Sequence, residues 1–278
     1  MKKVLAWFAA VTLLTQVIGL YVGYQYLLLM KEGLVPPLVE QPSKPSNAII
    51  IFAYVLVVTA CVLLAIKFLK RKDIFLRGLE AFAVFFSSWI AFDVIVPFGI
   101  IPAVLIVAWR LIRPNAVNKA IAAMFAIIGA GAVIGASLEV VPAMLLVLLL
   151  SSYDFVSVFI TKHMVYMARA IVETDSAFTF SFPHKFKKPV IVEKAGRPVK
   201  LKEHAFQLGG GDVLLPLIFS VSVLRQFSLV NALFSLVGSV VALVCLFYYV
   251  SRHIGRPLPA LPVISAGMLF GFTISMLL

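Results

Sequence analysis

The sequence predicts an all-α polytopic membrane protein with nine transmembrane helices. Of its 278 residues, 62% are hydrophobic and 13% are charged, whereas a soluble domain has roughly 45–50% apolar and about 25% charged residues. The mean hydropathy is +1.07, and the apolar residues form segments of roughly 20 residues, the length that crosses a bilayer. These observations argue against an ordinary soluble protein and predict a single transmembrane domain over residues 1–278.

The first five predicted spans lie within residues 1–139. The apolar run after Lys3 begins like a signal peptide, but it continues well past the roughly 7–15 apolar residues of a signal sequence, so we expect a retained helix. A proline-rich loop follows it, and Pro97 with Gly99 predicts a tight turn. The fifth span is rich in Gly and Ala, which allows close helix packing. The predicted spans are residues 4–29, 48–69, 74–96, 98–112 and 117–138.

The remaining four spans lie within residues 140–278, and a polar loop (173–205) divides them. The sixth span begins near Val140 and continues past Ile160. The seventh, eighth and ninth are expected at about 206–224, 228–250 and 258–278. Inside the loop, two alternating segments (189–193 and 198–202) flank a glycine-containing turn, a pattern that predicts a small β-hairpin. The alternative is a disordered basic loop near anionic lipid.

The basic residues predict the orientation of the chain in the membrane. The net charge of +12 would suggest a nucleic-acid partner in a soluble protein, but in a polytopic protein Lys and Arg collect on the cytoplasmic side. With a cytoplasmic N-terminus and alternating spans, three of the 24 Lys and Arg residues fall outside: Lys31, Lys44 and Arg225. We therefore expect the loop 173–205 in the cytoplasm and the C-terminus outside, with no role in nucleic-acid binding.

An aspartate near the start of the seventh span is the main candidate for a functional residue. Asp212 follows three glycines, Gly209, Gly210 and Gly211, and leads directly into an apolar segment. A carboxylate at a helix centre in a bilayer costs roughly +3 kcal/mol, and such residues commonly belong to functional sites. The glycines allow the backbone to depart from a helix and another chain to approach. Asp212 therefore needs a partner and a function.

Asp154 in the sixth span is the predicted partner. It precedes the expected inner boundary by six residues, and Asp212 follows the inner boundary by six residues. At about 1.5 Å per residue, both carboxyl groups lie about 9 Å below the inner edge. By the same count Asp93 lies near the opposite side of the membrane. Glu80 is interpreted as structural, in reach of Arg77.

A close pair of carboxyl groups supports acid–base chemistry. Two carboxylates a few ångströms apart do not both ionise readily in a low dielectric, so they share a proton. One can take a proton from water while the other polarises a peptide carbonyl, as in aspartic proteases. This chemistry requires neither a metal nor a cofactor, and we expect none.

Three short motifs together carry a family resemblance. Tyr153-Asp154 in the sixth span, Gly209-Gly210-Gly211-Asp212 opening the seventh, and Pro259-Ala260-Leu261-Pro262 opening the ninth resemble the YD, GxGD and PAL motifs of the presenilin and signal peptide peptidase family. The nine-span layout and the loop between spans six and seven are similar as well. The second proline and the inward-facing loop resemble presenilin in particular, in a compact microbial form.

The resemblance implies an intramembrane aspartyl protease with Asp154 and Asp212 as the catalytic pair. It implies helices 6–9 as the catalytic part and a site shaped by the remaining motif residues. Transmembrane segments of other proteins are then the substrates, cleaved in an extended form, and the hairpin offers an edge for strand addition. A homo-oligomer is left open. The residues implied in shaping the site or binding substrate are Tyr153, Gly209, Gly210, Gly211, Pro259, Ala260, Leu261 and Pro262.

Other classes of protein remain as alternatives on the residues alone. Two intramembrane aspartates also suit a proton or cation relay in a transporter or channel, but we find no convincing inverted repeat of the kind many transporters have. A zinc protease is disfavoured because the HExxH spacing is absent from the sequence. A membrane serine protease is disfavoured because no histidine falls within a predicted span.

Overall fold

The computed structural model describes residues 2–68, 72–113, 115–159, 179–184, 190–194, 197–201, 204–252 and 258–278. Within these ranges the chain forms nine α-helices, close to the predicted positions. They are α1 (Lys2–Lys31), α2 (Ser46–Phe68), α3 (Lys72–Ile95), α4 (Ile100–Ile112), α5 (Ala116–Ser137), α6 (Val140–Phe159), α7 (Gly211–Gln226), α8 (Leu229–Arg252) and α9 (Leu261–Leu277). Four strands lie between α6 and α7: β1 (Thr179–His184), β2 (Val190–Lys194), β3 (Arg197–Leu201) and β4 (His204–Gly209).

Six of the described helices are long and apolar enough to cross a bilayer. The other three, α4, α7 and α9, have 13, 16 and 17 residues, or about 20, 24 and 26 Å against a hydrocarbon core of about 30 Å. Non-helical backbone at membrane depth is tolerated where protein buries it or where it lines a cavity. Two of these short helices, α7 and α9, begin at the motifs that the sequence marks as functional.

Helix α7 lies at the centre of the molecule. It packs against α1, α5, α6, α8 and α9, and its residues 213 and 215–223 are all buried. Phe219 is fully enclosed and meets Phe272 of α9 edge-to-face at 5.6 Å. The apolar core around it includes residues from both halves of the chain, among them Leu20, Leu146 and Leu236. Asp212 therefore lies in the first turn of a helix that five others surround.

The small residues of α5 allow its neighbours to approach closely, as the sequence predicts. A Cβ atom at Gly129 would overlap the carbonyl oxygen of Ser87 in α3. A Cβ atom at Gly131 would lie 2.6 Å from a methyl group of Leu217 in α7, and one at Gly135 would lie 2.6 Å from the carbonyl oxygen of Ile218. Helix α5 thus packs tightly between α3 and α7.

The predicted start of the seventh span, near Phe206, is wrong. Residues His204–Gly209 form strand β4, and the helix begins at Gly211. The apolar residues Phe206 and Leu208 suit a strand as well as a helix, and a short apolar run does not distinguish the two. Asp212 consequently lies in the first helical turn rather than six residues into a helix.

The strands form two antiparallel pairs. Strands β2 and β3 pair with Val192 opposite Val199, which confirms the hairpin predicted in this loop. Strand β1 pairs with β4, with Thr179 opposite Gly209, so that this second sheet ends at the glycine run. The predicted extension of the sixth span past Ile160, and the turn at residues 195–196, lie outside the described residues.

The predicted pairing of Glu80 with Arg77 is wrong. Glu80 of α3 accepts a hydrogen bond from Arg110 Nε of α4 at 2.9 Å, and both side chains are 9% exposed. A buried charge next to lipid is costly without a partner, which favours the enclosed cross-helix pair. Arg77 is exposed. Glu80 thus has the structural role expected of it, with a different partner.

Candidate active site

Asp154 lies on a buried face of α6, directed toward the start of α9. Asp154 is 4% exposed. Its Oδ2 atom accepts a hydrogen bond of 3.2 Å from the backbone N–H of Leu261. The backbone N–H of Ala260 also interacts with this carboxyl group. Ala260 and Leu261, the two residues of the Pro-Ala-Leu-Pro motif that have a backbone N–H, thus hold Asp154 from the neighbouring helix.

The N-terminus of α9 explains why it accepts a carboxylate from another helix. The first N–H groups of a helix have no partner within it, and the N-cap residue Ala260 offers no side-chain hydrogen bond. Pro262 has no N–H at all, and the first helical bond runs from Ile264 N–H to the carbonyl of Ala260. Asp154 therefore supplies the acceptor that a capping side chain supplies elsewhere, at the positive end of the helix dipole.

Asp212 occupies the first turn of α7, immediately after the glycine run. The backbone of Gly209 forms a hydrogen bond to its carboxyl group, and the charge of Asp154 acts on it electrostatically. A Cβ atom on Gly209 would lie 3.2 Å from Asp212 Oδ2, whereas one on Gly211 would meet nothing within 4 Å. The structure thus places Asp154 and Asp212 within range of each other's charge, which supports the pairing that the sequence predicts.

The glycine run contributes by its lack of side chains rather than by unusual dihedral angles. Gly210 has φ −59° and ψ −30°, which any residue can adopt. The glycine with positive φ among the described residues is Gly33, far away in sequence. The chain does leave the helical path here, because β4 ends at Gly209 and α7 starts at Gly211. Gly209 keeps the space beside Asp212 free of a side chain.

The other candidate residues surround the two aspartates to different degrees. Tyr153 is half-buried, and its ring meets Phe52 of α2 edge-on at 6.3 Å. Pro259 and Leu261 are buried, and Ala260 and Pro262 are half-buried. Asp93 is exposed near the end of α3, in agreement with its exclusion from the pair.

Three polar residues that the sequence did not single out support the two aspartates. Gln16 of α1 is 1% exposed, and its Nε2 donates a hydrogen bond of 2.8 Å to the carbonyl of Val213. Ser151 and Ser265 are both buried and hydrogen-bonded to each other at 2.7 Å. A usable signal existed for the serines, since Ser151 precedes Asp154 by three residues and so shares its helix face. For Gln16 the signal was a long amide side chain inside an apolar span.

Pro216 gives the first turn of α7 a further feature. It lies inside the helix and lacks an N–H, so it cannot donate to the carbonyl of Asp212 four residues earlier. Gln16 donates to the next carbonyl, that of Val213. The turn that carries Asp212 is therefore stabilised from α1 at the point where the helix has fewer internal bonds.

The arrangement suits hydrolysis by two carboxyl groups. Two interacting carboxyl groups in a poorly hydrated site hold one proton between them, so one is an acid and the other a base. The base can activate water, and the acid can polarise a carbonyl oxygen.

Comparisons with known proteins identify the family and the fold of this chain. The sequence model described as "Signal-peptide peptidase, presenilin aspartyl protease" matches residues 9–278. Among curated proteins no match is found. A presenilin family intramembrane aspartate protease in space group C222 is similar in structure, with TM-score 0.68, 24% identity, and coverage of 99% of each chain. The same kind of protein in space group P2 gives TM-score 0.67, 24% identity, and coverage of 96% of each chain.

Proposed function

Because the chain belongs to the signal-peptide peptidase and presenilin aspartyl protease family, and is therefore a multi-pass intramembrane aspartyl protease, we propose that Asp154 and Asp212 are its catalytic pair. The observation that supports this assignment is that Asp154, held by the start of α9, lies close enough to Asp212 of α7 for their charges to interact. Membrane proteins in the bilayer are the substrates of this enzyme class.

In the proposed reaction, one aspartate is ionised and the other protonated. The ionised group takes a proton from water as the water oxygen attacks the peptide carbonyl carbon, and the protonated group gives its proton to the carbonyl oxygen. The tetrahedral intermediate then breaks its C–N bond: the nitrogen receives the proton that the pair took from water, and a hydroxyl of the intermediate returns its proton to the other aspartate, so that the pair again holds one proton. Because the pair must hold one proton, activity should show a bell-shaped pH dependence with two limbs that belong to both residues jointly.

The remaining motif residues shape the substrate site in this proposal. Gly209 leaves room beside Asp212, where a peptide backbone approaches, and Gly210 and Gly211 let the chain pass from strand to helix at that point. The Pro259–Pro262 segment presents backbone beside Asp154, held by the hydrogen bond from Leu261. Tyr153 contributes through its packing on α2. Strand β4 leads directly into Gly209, which supports binding of the substrate in extended form.

The β2–β3 hairpin is proposed as an edge to which substrate adds a strand. Proline at Val190 or Val199 removes a backbone donor and disturbs the pair in which they lie. We expect either substitution to lower cleavage of a transmembrane peptide, measured by product formation with purified protein. Unchanged rates in both variants would eliminate the hairpin as a substrate edge and leave the assignment of the aspartates intact.

The charge distribution supports a direction of substrate entry. With 21 of the 24 Lys and Arg residues on the predicted inner side, the N-terminus and loop 173–205 are cytoplasmic in this proposal and the C-terminus is outside. Helix α6 then runs inward, and by analogy within the family we propose single-span substrates with the N-terminus outside. Efficient cleavage of the opposite orientation alone would contradict this.

The transporter alternative has no support from the family or from the similar structures. The function is tested by reconstituting purified protein in liposomes with a labelled single-span peptide and identifying the products by mass spectrometry. We expect cleavage inside the apolar segment, lost on Asp154→Asn or Asp212→Asn. A peptide-independent proton flux, lost in the same two variants while no peptide bond is cut, would instead favour the relay.

A further inference from the structure

Two buried serines tie the helix that carries Asp154 to the helix start that holds it. Ser151 of α6 and Ser265 of α9 have their Oγ atoms 2.7 Å apart. Ser265 Oγ donates to the carbonyl oxygen of Leu261 at 2.6 Å, and the N–H of the same Leu261 donates to Asp154. With the Ser265 proton on that carbonyl, the Ser151 hydroxyl is the donor between the two serines.

These contacts form a closed ring through both helices. Ser151 precedes Asp154 by three residues on one helix face, and Ser265 follows Leu261 by four residues on another. The ring therefore fixes α6 to α9 at two levels, once at the carboxylate and once a helical turn away. All four residues are at most 9% exposed. Because both serines are buried, pairing the two hydroxyls is favoured over leaving a buried hydroxyl without a partner.

We propose that Ser151 and Ser265 are positioning residues that set the orientation of the Leu261 N–H, and through it of Asp154, for catalysis. This inference rests on the proposed role of Asp154. The start of α9 needs such support because Ala260 gives no side-chain cap and Pro262 gives no N–H. Without the serine pair, the Leu261 carbonyl loses its side-chain donor, and the hydrogen bond to Asp154 is the remaining side-chain tie described at this peptide unit. A displacement of about 1 Å at a reacting group can reduce the rate of reaction up to about 100-fold.

The expected signature is a loss of kcat with KM retained. Neither serine is placed against substrate, so Ser151→Ala and Ser265→Ala should each lower kcat about tenfold and change KM less than about twofold. Because the serines act as one ring, the double variant should lose about as much as either single variant. Independent, multiplying losses would contradict a shared role.

Threonine and valine at position 265 separate the hydroxyl from the volume of the side chain. Ser265→Thr keeps an oxygen that can bond Ser151 and the Leu261 carbonyl, and Ser265→Val has the same shape without it. The inference predicts near-normal kcat for threonine and the alanine-like loss for valine. Equal, near-normal kcat in the two variants would overturn it, and equally reduced kcat would overturn it when the same pair of substitutions at Ser151 also gives equal kcat. The same pair of substitutions at Ser151 provides a second reading if position 265 does not tolerate the added methyl group.

A matched control is available on the same helix. Ser275 of α9 is buried, and its Oγ accepts a hydrogen bond of 3.1 Å from Asn231 Nδ2 of α8, far from the aspartates. Ser275→Ala removes an interhelical bond of similar kind, and kcat should stay within about twofold of wild type. A loss equal to that of Ser265→Ala would mean that the serine ring acts only through general helix packing, and it would contradict the positioning role.

The proposed function and this inference fail in different ways. Purified wild type and Asp154→Asn are measured beside the serine variants, with the same labelled transmembrane peptide and with thermal unfolding of every sample. If wild type does not cleave, the function is wrong. If wild type cleaves, Asp154→Asn does not, and the serine variants match wild type in kcat, the function stands and the positioning role is wrong.

Discussion

At the scale of single residues, the space between Gly209 and Asp212 is the sharpest constraint. A methyl group on Gly209 would lie 3.2 Å from Asp212 Oδ2, tighter than an ordinary contact. We expect Gly209→Ala to move that carboxyl group and to lower kcat by about tenfold or more. The assay is peptide cleavage with purified protein.

Gly211 provides the control for this substitution. It is exposed at the first position of α7, and a methyl group there meets nothing within 4 Å. Gly211→Ala should keep near wild-type activity, since Ala is well accepted at a helix start and in its interior. If Gly211→Ala is as inactive as Gly209→Ala, the backbone flexibility of the run, rather than the space beside Asp212, is what activity requires.

The pairing of Asp154 with Asp212 could be predicted from the sequence. The hydrogen bonds that hold Asp154 and the residues around it could not. Equal counting from the inner edge predicts the two aspartates at one level, and it does so from a start of the seventh helix at Phe206, whereas α7 begins at Gly211. The bond from Leu261 N–H to Asp154 could not be foreseen, because a backbone donor leaves no trace in the sequence. The pairing of Ser151 with Ser265 depends on how α6 and α9 are rotated, which residue spacing alone does not determine.

At the scale of elements, glycines hold α9 against α8. A Cβ atom on Gly238 of α8 would overlap the carbonyl oxygen of Gly267, and one on Gly271 would overlap that of Phe234. Because α9 begins with the segment that holds Asp154, separation of these helices should displace the site. We expect Gly238→Ala to lower the thermal unfolding temperature and to reduce kcat, by overpacking of about 1–3 kcal/mol.

Gly78 of α3 offers the matched substitution for this test. It lies in a helix, and a methyl group there would meet nothing within 4 Å. Gly78→Ala should leave activity unchanged and raise stability slightly, by up to about 1 kcal/mol of helix propensity. Equal unfolding temperatures for Gly238→Ala and Gly78→Ala would contradict the close packing of α8 and α9.

The positions of most helices could be predicted from the lengths of the apolar segments. The residues at which α7 and α9 begin, beside the site, could not. Helices α1 to α5 and α8 begin and end within a few residues of the predicted bounds, and α6 begins at the predicted residue. The exceptions, α7 and α9, start later because Phe206–Leu208 enter a strand and Pro259–Ala260 precede the helix. Hydropathy reports which residues lie in the membrane, but it does not report which of them leave the helical path.

At the scale of the whole molecule, the orientation in the membrane is open to direct measurement. Cys61 and Cys245 are both exposed, so they are first replaced by alanine. Ser43→Cys should then react with a membrane-impermeant maleimide added to intact cells, because the segment between α1 and α2 lies outside in the proposed topology. Ala195→Cys, in the loop before α7, should react only after permeabilisation. The reverse pattern would invert the topology and the proposed substrate orientation.

Catalysis by the pair of aspartates is the central claim, and one comparison tests it most directly. Purified wild type, Asp154→Asn, Asp212→Asn and Asp93→Asn are incubated with the same labelled transmembrane peptide, and folding is checked by thermal unfolding. Asn keeps the shape of Asp but removes the carboxylic acid, and Asp93 is an exposed aspartate away from the pair. The account predicts that wild type and Asp93→Asn cleave while the other two folded variants do not. Normal cleavage by either Asp154→Asn or Asp212→Asn would contradict it.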